Sequence, residues 1–162
     1  MQLKEVRIDH YKAFDKFTLH LGSKAFLVGP NNAGKSTLIS AVRAAAEMLR
    51  HASRRRASLY RTHGGRTVRA HELSPVAKTL VSENLRHQFR TAETSLRLKT
   101  DTDLILTAVW PEDEDLSPFF YLERGDGRLL SEPKSVRELV GEIGIVSGLY
   151  PINQQERVLD ED

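Results

Sequence analysis

The chain has 162 residues, of which 40% are hydrophobic and 28% are charged, and this balance is typical of a folded globular domain rather than a disordered one. It contains no cysteine, which excludes disulfide bonds and thiolate metal sites. Because no apolar run approaches the roughly 20 residues of a membrane span and the first residues lack a signal peptide's apolar stretch, we expect a cytoplasmic protein with no membrane partner.

Three β-strands are predicted before residue 29. Polar and apolar side chains alternate over residues 3–9 and again over residues 14–21, which is the pattern of half-buried strands. A turn is predicted at residues 22–24, and the apolar run at residues 25–28 predicts the third strand. We expect two of these strands to pair as an antiparallel hairpin beside the third.

The most specific motif of the chain directly follows the third strand. Residues 29–37 read GPNNAGKST, which fits the phosphate-binding P-loop pattern between a strand and a helix. Backbone N–H groups from about Asn32 to Ser36 would converge on the β-phosphate, aided by the positive end of the helix dipole. Lys35 would reach the β- and γ-phosphates, and the Ser36 hydroxyl would bind Mg²⁺. The sequence therefore predicts a nucleoside triphosphate site.

The P-loop opens a predicted helix that runs from Lys35 to about Ser53. Its apolar residues recur at spacings of three and four and predict one buried stripe: Leu38, Ile39, Val42, Ala45, Ala46 and Leu49. Residues 57–75 show no clear pattern apart from an exposed loop at residues 63–66. A short helix is predicted from Ser74 through Leu85.

A run of strands is predicted in the second half of the chain. The segments are residues 94–99, 104–110, 119–123 and 128–130, with a tight turn at residues 125–127, then a helix over residues 135–141 and a strand over residues 143–146. This order differs from that of a simple parallel GTPase or kinase core, in which strands and helices alternate along the chain.

This arrangement and the residues themselves resemble the N-terminal lobe of an ABC-type ATPase of the SMC/RecF/OLD group. The family opens with a strand and an aromatic-basic-small-Phe element, here Tyr11 to Phe14, followed by a Walker A motif of the form G-x-N-x-x-G-K-[ST]. SMC-like members usually carry Gly where this chain has Asn32, and the Asn-Asn form is similar to that of OLD-type nucleases. The resemblance implies an α/β fold with α+β character, namely that of a P-loop NTPase. The chain would form an ABC-type head lobe that has parallel core strands, an antiparallel β-subdomain and a basic insert.

The resemblance also implies ATP and Mg²⁺ as cofactors and adds residues to the site. Lys12 would contact nucleotide phosphates, although an ordinary surface lysine is the alternative. Residues 151–156 lie where the family places its Q-loop. There Gln154 or Gln155 would complete the Mg²⁺ coordination begun by Ser36, and Glu156 is a third candidate. The alternative is that these residues form a polar connector. The implied nucleotide-binding residues are Lys12, Gly29, Asn31, Asn32, Ala33, Gly34, Lys35, Ser36 and Thr37.

The family's signature motif, Walker B strand and switch histidine would all come after residue 162. The strand at residues 104–110 followed by acids resembles a Walker B motif, but Trp110 and Pro111 separate the strand from Asp113 and Glu114. We therefore expect the ATP-binding lobe of a longer ATPase acting in DNA repair or phage defence, with little turnover by this segment alone. A small phosphotransferase using Asp113 or Glu114, and a half-ATPase that regulates a partner, are the alternatives.

We expect a single lobe over residues 1–162, with strands, P-loop and helix in residues 1–56, a basic insert in residues 57–92, an antiparallel meander in residues 93–131, and a helix, a strand and the Q-loop in residues 132–162. Charge is distributed unevenly along this lobe. Residues 43–100 carry 13 Lys and Arg against 4 Asp and Glu, whereas residues 101–162 carry 5 against 15. Arginine suits phosphate contacts, so DNA is a predicted partner, although the basic and acidic parts could instead be ordinary solvated faces or attract each other. By resemblance, further partners are a second ATPase head and a nuclease domain or effector subunit. The candidate DNA-contacting residues are Arg54, Arg55, Arg56, Arg61, Arg66 and Arg69.

Overall fold

The computed structural model describes residues 1–11, 14–24, 28–29, 34–61, 67–73, 92–112 and 117–140. In these residues the chain forms seven β-strands and two α-helices. In chain order they are β1 Leu3–Tyr11, β2 Phe14–His20, α1 Lys35–Ala52, β3 Ser58–Arg61, β4 Thr67–Glu72, β5 Thr94–Thr100, β6 Leu104–Trp110, β7 Phe119–Arg124 and α2 Pro133–Val140.

The strands form one sheet in the order β2-β1-β5-β6-β7-β4-β3. Every strand pairing among the described residues is antiparallel, so the prediction of a P-loop α/β fold with parallel core strands is wrong. Parallel neighbours need a long crossover, usually through a helix, whereas β5, β6 and β7 follow one another as sheet neighbours. The helix α1 leads to the β3–β4 hairpin at the far edge, not to a strand beside β1.

The third predicted strand is not part of the described sheet. Residues 25–27 lie outside the described residues, and Val28 belongs to no strand and is 90% exposed. The strand that was expected to carry the P-loop in a parallel core therefore has no counterpart in the described structure.

One face of the sheet is apolar and packs against α1. The β1–β5 register places Val6 opposite Leu98 and Ile8 opposite Leu96, so that successive inward residues meet across the strands. The buried face of α1 is rotated about the helix axis relative to the predicted one. Ala41 and Met48 are buried, whereas several residues of the predicted stripe are only half-buried. The main buried residues of α1 in this core are Leu38, Ala41, Ala44, Ala45, Met48 and Ala52.

An apolar groove explains the incomplete burial of the predicted stripe. Val42 and Leu49 line it from α1, and Leu3 and Leu98 line it from the sheet. The two helix residues touch apolar neighbours but stay partly open to solvent, so periodicity located the helix correctly while the centre of its buried face depended on the sheet.

The opposite face of the sheet is mostly polar. Arg7 and Arg97 lie directly opposite each other on β1 and β5, and both are exposed. A small apolar cluster covers part of the same face near β4, β6 and β7, where the Tyr60 ring stacks on Phe119 at a centroid distance of 4.3 Å.

Most predicted elements before residue 57 and after residue 93 are confirmed within one or two residues. The β1–β2 hairpin, α1, β5, β6, β7 and α2 lie where their patterns predicted them. The β3–β4 hairpin was not predicted, and residues 128–130 contribute one isolated bridge, Glu123 to Leu129, rather than a strand. The predictions for residues 63–66, 74–85 and 143–146 fall mainly or wholly outside the described residues.

Candidate nucleotide-binding site

The described part of the P-loop motif is Gly29 together with residues 34–37. Gly34 is the N-cap residue of α1 and has the left-handed conformation, with φ 80° and ψ 6°, and no side chain caps the helix. The first helical hydrogen bond runs from the Leu38 amide to the Gly34 carbonyl oxygen at 3.0 Å, so the helix supplies no acceptor for the Ser36 and Thr37 amides. The first turn also contains no acidic side chain. This helix end therefore presents donors and positive dipole without a competing carboxylate.

The Lys35 side chain turns back over the loop rather than out into solvent. Its Nζ donates a hydrogen bond to the carbonyl oxygen of Gly29, six residues earlier in the chain. The ammonium group is thus held at the loop, where an anion bound by the α1 amides would meet it. Ser36 is exposed beside it, and Thr37 is buried.

An aromatic ring from the edge strand β2 packs against the glycine that opens α1. A Cβ atom added to Gly34 would lie 2.3 Å from Cζ and 2.8 Å from Cε1 of Phe14, so the ring is in direct contact with the glycine backbone. The Phe14 ring is in turn stacked on Phe17, with a centroid distance of 4.3 Å. The family motif includes Phe14 but assigns it no role. Its aromatic side chain was the feature of the sequence that could have indicated this contact.

The hairpin that carries Phe14 is anchored at its turn. Tyr11 pairs with Phe14 in register and is buried against Trp110, and burial raises the pKa of Tyr11 to about 12. His10 has a positive φ of 52°, which is uncommon for a residue other than glycine. Its Nδ1 lies 3.0 Å from the Glu93 carbonyl oxygen, and the Thr94 hydroxyl donates to the His10 carbonyl oxygen at 2.9 Å. Sequence patterns did not indicate the roles of His10 and Thr94.

Several predicted nucleotide and metal residues lie outside the described residues. These are Lys12, Asn31, Asn32, Ala33, Gln154, Gln155 and Glu156. Within the described ranges no group of three or more His, Asp or Glu side chains could hold a metal ion. The Mg²⁺ site at Ser36 therefore remains a prediction.

The segment that resembled a Walker B strand is a central strand of the antiparallel sheet. It forms β6 between β5 and β7, and Trp110 at its end is buried. Asp113 and Glu114 lie outside the described residues. A catalytic role for either carboxylate stays a prediction.

Of the six predicted DNA-contacting arginines, the structure describes the side chains of four, and one of these four is paired with a carboxylate. Arg56 is paired with Glu132 at 2.6 Å. Arg54 and Arg55 are exposed just beyond α1, and Arg69 is exposed on β4. The Arg61 side chain and all of Arg66 lie outside the described part of the chain.

No protein-family model matches the chain, and no curated protein matches it significantly. The resemblance to SMC/RecF/OLD ATPases therefore stays a prediction based on the motif residues. Neither helix in the described ranges is long and apolar enough to cross a membrane.

Proposed function

We propose that the chain binds Mg-ATP through residues 29–37 and acts as the ATP-binding lobe of an ATPase coupled to DNA processing. The choice of ATP and DNA rests on the SMC/RecF/OLD-like residues. The proposal does not use the parallel core that the same resemblance implied, because the sheet is antiparallel. It depends instead on the local structure at the start of α1.

One observation carries the proposal: a left-handed Gly34 opens α1 while Lys35 bonds back to Gly29. A triphosphate would accept hydrogen bonds from first-turn amides such as those of Ser36 and Thr37. The Lys35 ammonium would exchange its carbonyl acceptor for a charged phosphate oxygen, which is a stronger acceptor. The Ser36 hydroxyl is exposed beside the loop and would ligate Mg²⁺.

Turnover by this chain alone should be slow. Phosphoryl transfer to water needs a carboxylate or other group that orients the attacking water. By resemblance, that group comes from a Walker B strand, and the signature motif of a second ATPase head completes the site. The proposed role of this lobe is to hold ATP until the rest of the catalytic site assembles around it.

The test is Mg-ATP binding measured by isothermal titration calorimetry, with hydrolysis followed in the same sample. We expect Lys35→Ala to abolish measurable binding and Lys99→Ala to bind like the wild type, because Lys99 pairs with Asp103 away from the loop. Wild-type binding with only background hydrolysis would support an ATP-binding lobe. Equal binding by wild type and Lys35→Ala would overturn the proposed site, and Lys35-dependent turnover would indicate a complete enzyme instead.

A further inference from the structure

The C-terminal end of α1 carries a group of exposed arginines that the nucleotide site does not use. Arg54 and Arg55 directly follow the helix, and Arg69 is exposed on the neighbouring strand β4. No carboxylate in the described structure pairs with any of the three, in contrast to Arg50 and Arg56, which are paired with Glu47 and Glu132.

Contact between two histidines places the C-terminal end of α1, which precedes Arg54 and Arg55, beside the strand that carries Arg69. The His51 ring of α1 meets the His71 ring of β4 edge-on at a centroid distance of 5.6 Å, and His71 stacks on Phe120 at 4.9 Å. His71 therefore faces α1, and Arg69, two residues earlier on the same strand, projects from the same face of the sheet. Arg55 lies close enough to His51 for its charge to lower the pKa of that imidazole, after the larger effect of burial.

An exposed apolar residue lies next to this group. Leu59 is directly opposite Arg69 on the edge strand β3 and is 70% exposed. We call Arg54, Arg55, Arg69 and Leu59 the arginine corner. Exposed positive charges that have no carboxylate partner among the described residues favour a surface that meets a polyanion.

We infer that the arginine corner binds the phosphodiester backbone of a nucleic acid without reading its sequence. Guanidinium groups donate in a planar fork that matches phosphate oxygens, and three such contacts release bound counter-ions from the nucleic acid. The inference rests on the proposed function only for the choice of nucleic acid as the polyanion. It names a surface for that contact, formed by three of the candidate arginines that the structure describes.

The position of the arginine corner also connects it to the nucleotide site. α1 begins at Lys35 in the P-loop and ends at Ala52, two residues before Arg54, so one helix of 18 residues joins the two sites. At 1.5 Å per residue it spans about 27 Å. A nucleic acid at one end of α1 and a nucleotide at the other would thus contact the same rigid element without touching each other.

The test is fluorescence polarisation of a labelled 30-base-pair DNA duplex, titrated with the 162-residue chain at several salt concentrations. For the variant Arg54→Gln, Arg55→Gln, Arg69→Gln we expect weaker binding and a log-affinity slope against log salt that is shallower by about 2 to 3. A charge-matched control carries Arg7→Gln, Lys16→Gln and Arg97→Gln on or beside the opposite face of the sheet and should retain the wild-type slope. Trp110 fluorescence during urea unfolding verifies that both variants are folded.

The outcomes separate this inference from the proposed ATP site. The arginine variant should bind Mg-ATP like the wild type, and Lys35→Ala should bind the duplex like the wild type when ATP is absent. Equal duplex binding by the wild type and the arginine variant would overturn the inference, as would absence of duplex binding by the wild type. Displacement of the duplex by equal charge concentrations of polyglutamate would also overturn it, because it would indicate an acidic protein segment as the partner.

Discussion

The ring of Phe14 lies directly against the backbone of Gly34, so closely that a methyl group on Gly34 would come within 2.3 Å of the ring. This contact joins the first residue of an edge strand to the residue that opens α1. It explains why the loop needs glycine at position 34 for two reasons: the left-handed φ of 80°, and the absence of space for a side chain. The edge strand β2 thus packs against the residue that opens α1 at the candidate phosphate site.

Gly34→Ala should both destabilise the chain and abolish nucleotide binding. Strain at a positive φ and the clash with Phe14 together should lower the free energy of unfolding by about 2 to 4 kcal/mol. Urea unfolding monitored by Trp110 fluorescence measures the loss. In the double variant Gly34→Ala, Phe14→Ala the clash is removed, so the loss of stability should be smaller than the sum of the losses in the two single variants. A loss equal to that sum would contradict the contact.

Ser36→Ala should weaken ATP binding only when Mg²⁺ is present. The Ser36 side chain is exposed, so its removal should leave the fold unchanged, while the proposed metal ligand is lost. Calorimetric titrations with Mg²⁺ and with EDTA give the comparison, and Ser36→Thr, which keeps the hydroxyl, is the matched control. An equal loss of affinity under both conditions would argue against a metal ligand at this position.

His71 should make the chain less stable in mild acid. Burial, reinforced by the neighbouring His51, lowers the pKa of His71 to about 4, whereas an unfolded chain has a histidine pKa near 6.5. The stabilisation from the neutral ring is therefore complete above pH 6.5 and is lost as the pH falls towards 4, by about 3 kcal/mol in total. His51 and Arg55 on the α1 side add positive charge and offer no compensating carboxylate.

Unfolding free energies measured between pH 7 and pH 4 for wild type and His71→Phe check this expectation. Phenylalanine keeps an aromatic ring against Phe120 without a titrating group, so the variant should lose less stability across that range. His20→Gln, at a largely exposed histidine on β2, is the matched comparison. Parallel curves for wild type and His71→Phe would contradict the assignment.

Arg137→Ala should destabilise the C-terminal end of α1. The Arg137 Nη1 atom donates a hydrogen bond to the Ser53 carbonyl oxygen at 2.7 Å, which ties α2 to the residue that caps α1. Loss of this charged donor should lower the free energy of unfolding by about 1 to 2 kcal/mol. Thermal unfolding measures the effect, and Lys134→Ala on the same helix should change stability by less than about 0.5 kcal/mol.

Local patterns were reliable where one element's own sequence decided its structure. The alternation over residues 3–9 predicted β1, and the three- and four-residue spacing after Lys35 predicted α1 to within a residue. Patterns were insufficient for the β3–β4 hairpin, because two short strands at the edge of a sheet are stabilised by neighbours far away in the chain. His71 of β4, for example, is held by Phe120 of β7 and His51 of α1.

The sequence by itself determined the candidate phosphate loop, the helix that follows it and most of the strands, since these depend on residue type and local periodicity. The antiparallel hairpin and meander were also predicted, but only the tertiary structure decided that the described strands share one sheet without a parallel pair, because strand order depends on which distant segments pair. It also decided which aromatic ring contacts Gly34 at the start of α1. Phe14 and Gly34 are 20 residues apart in the chain, and no local pattern encodes a contact at that separation.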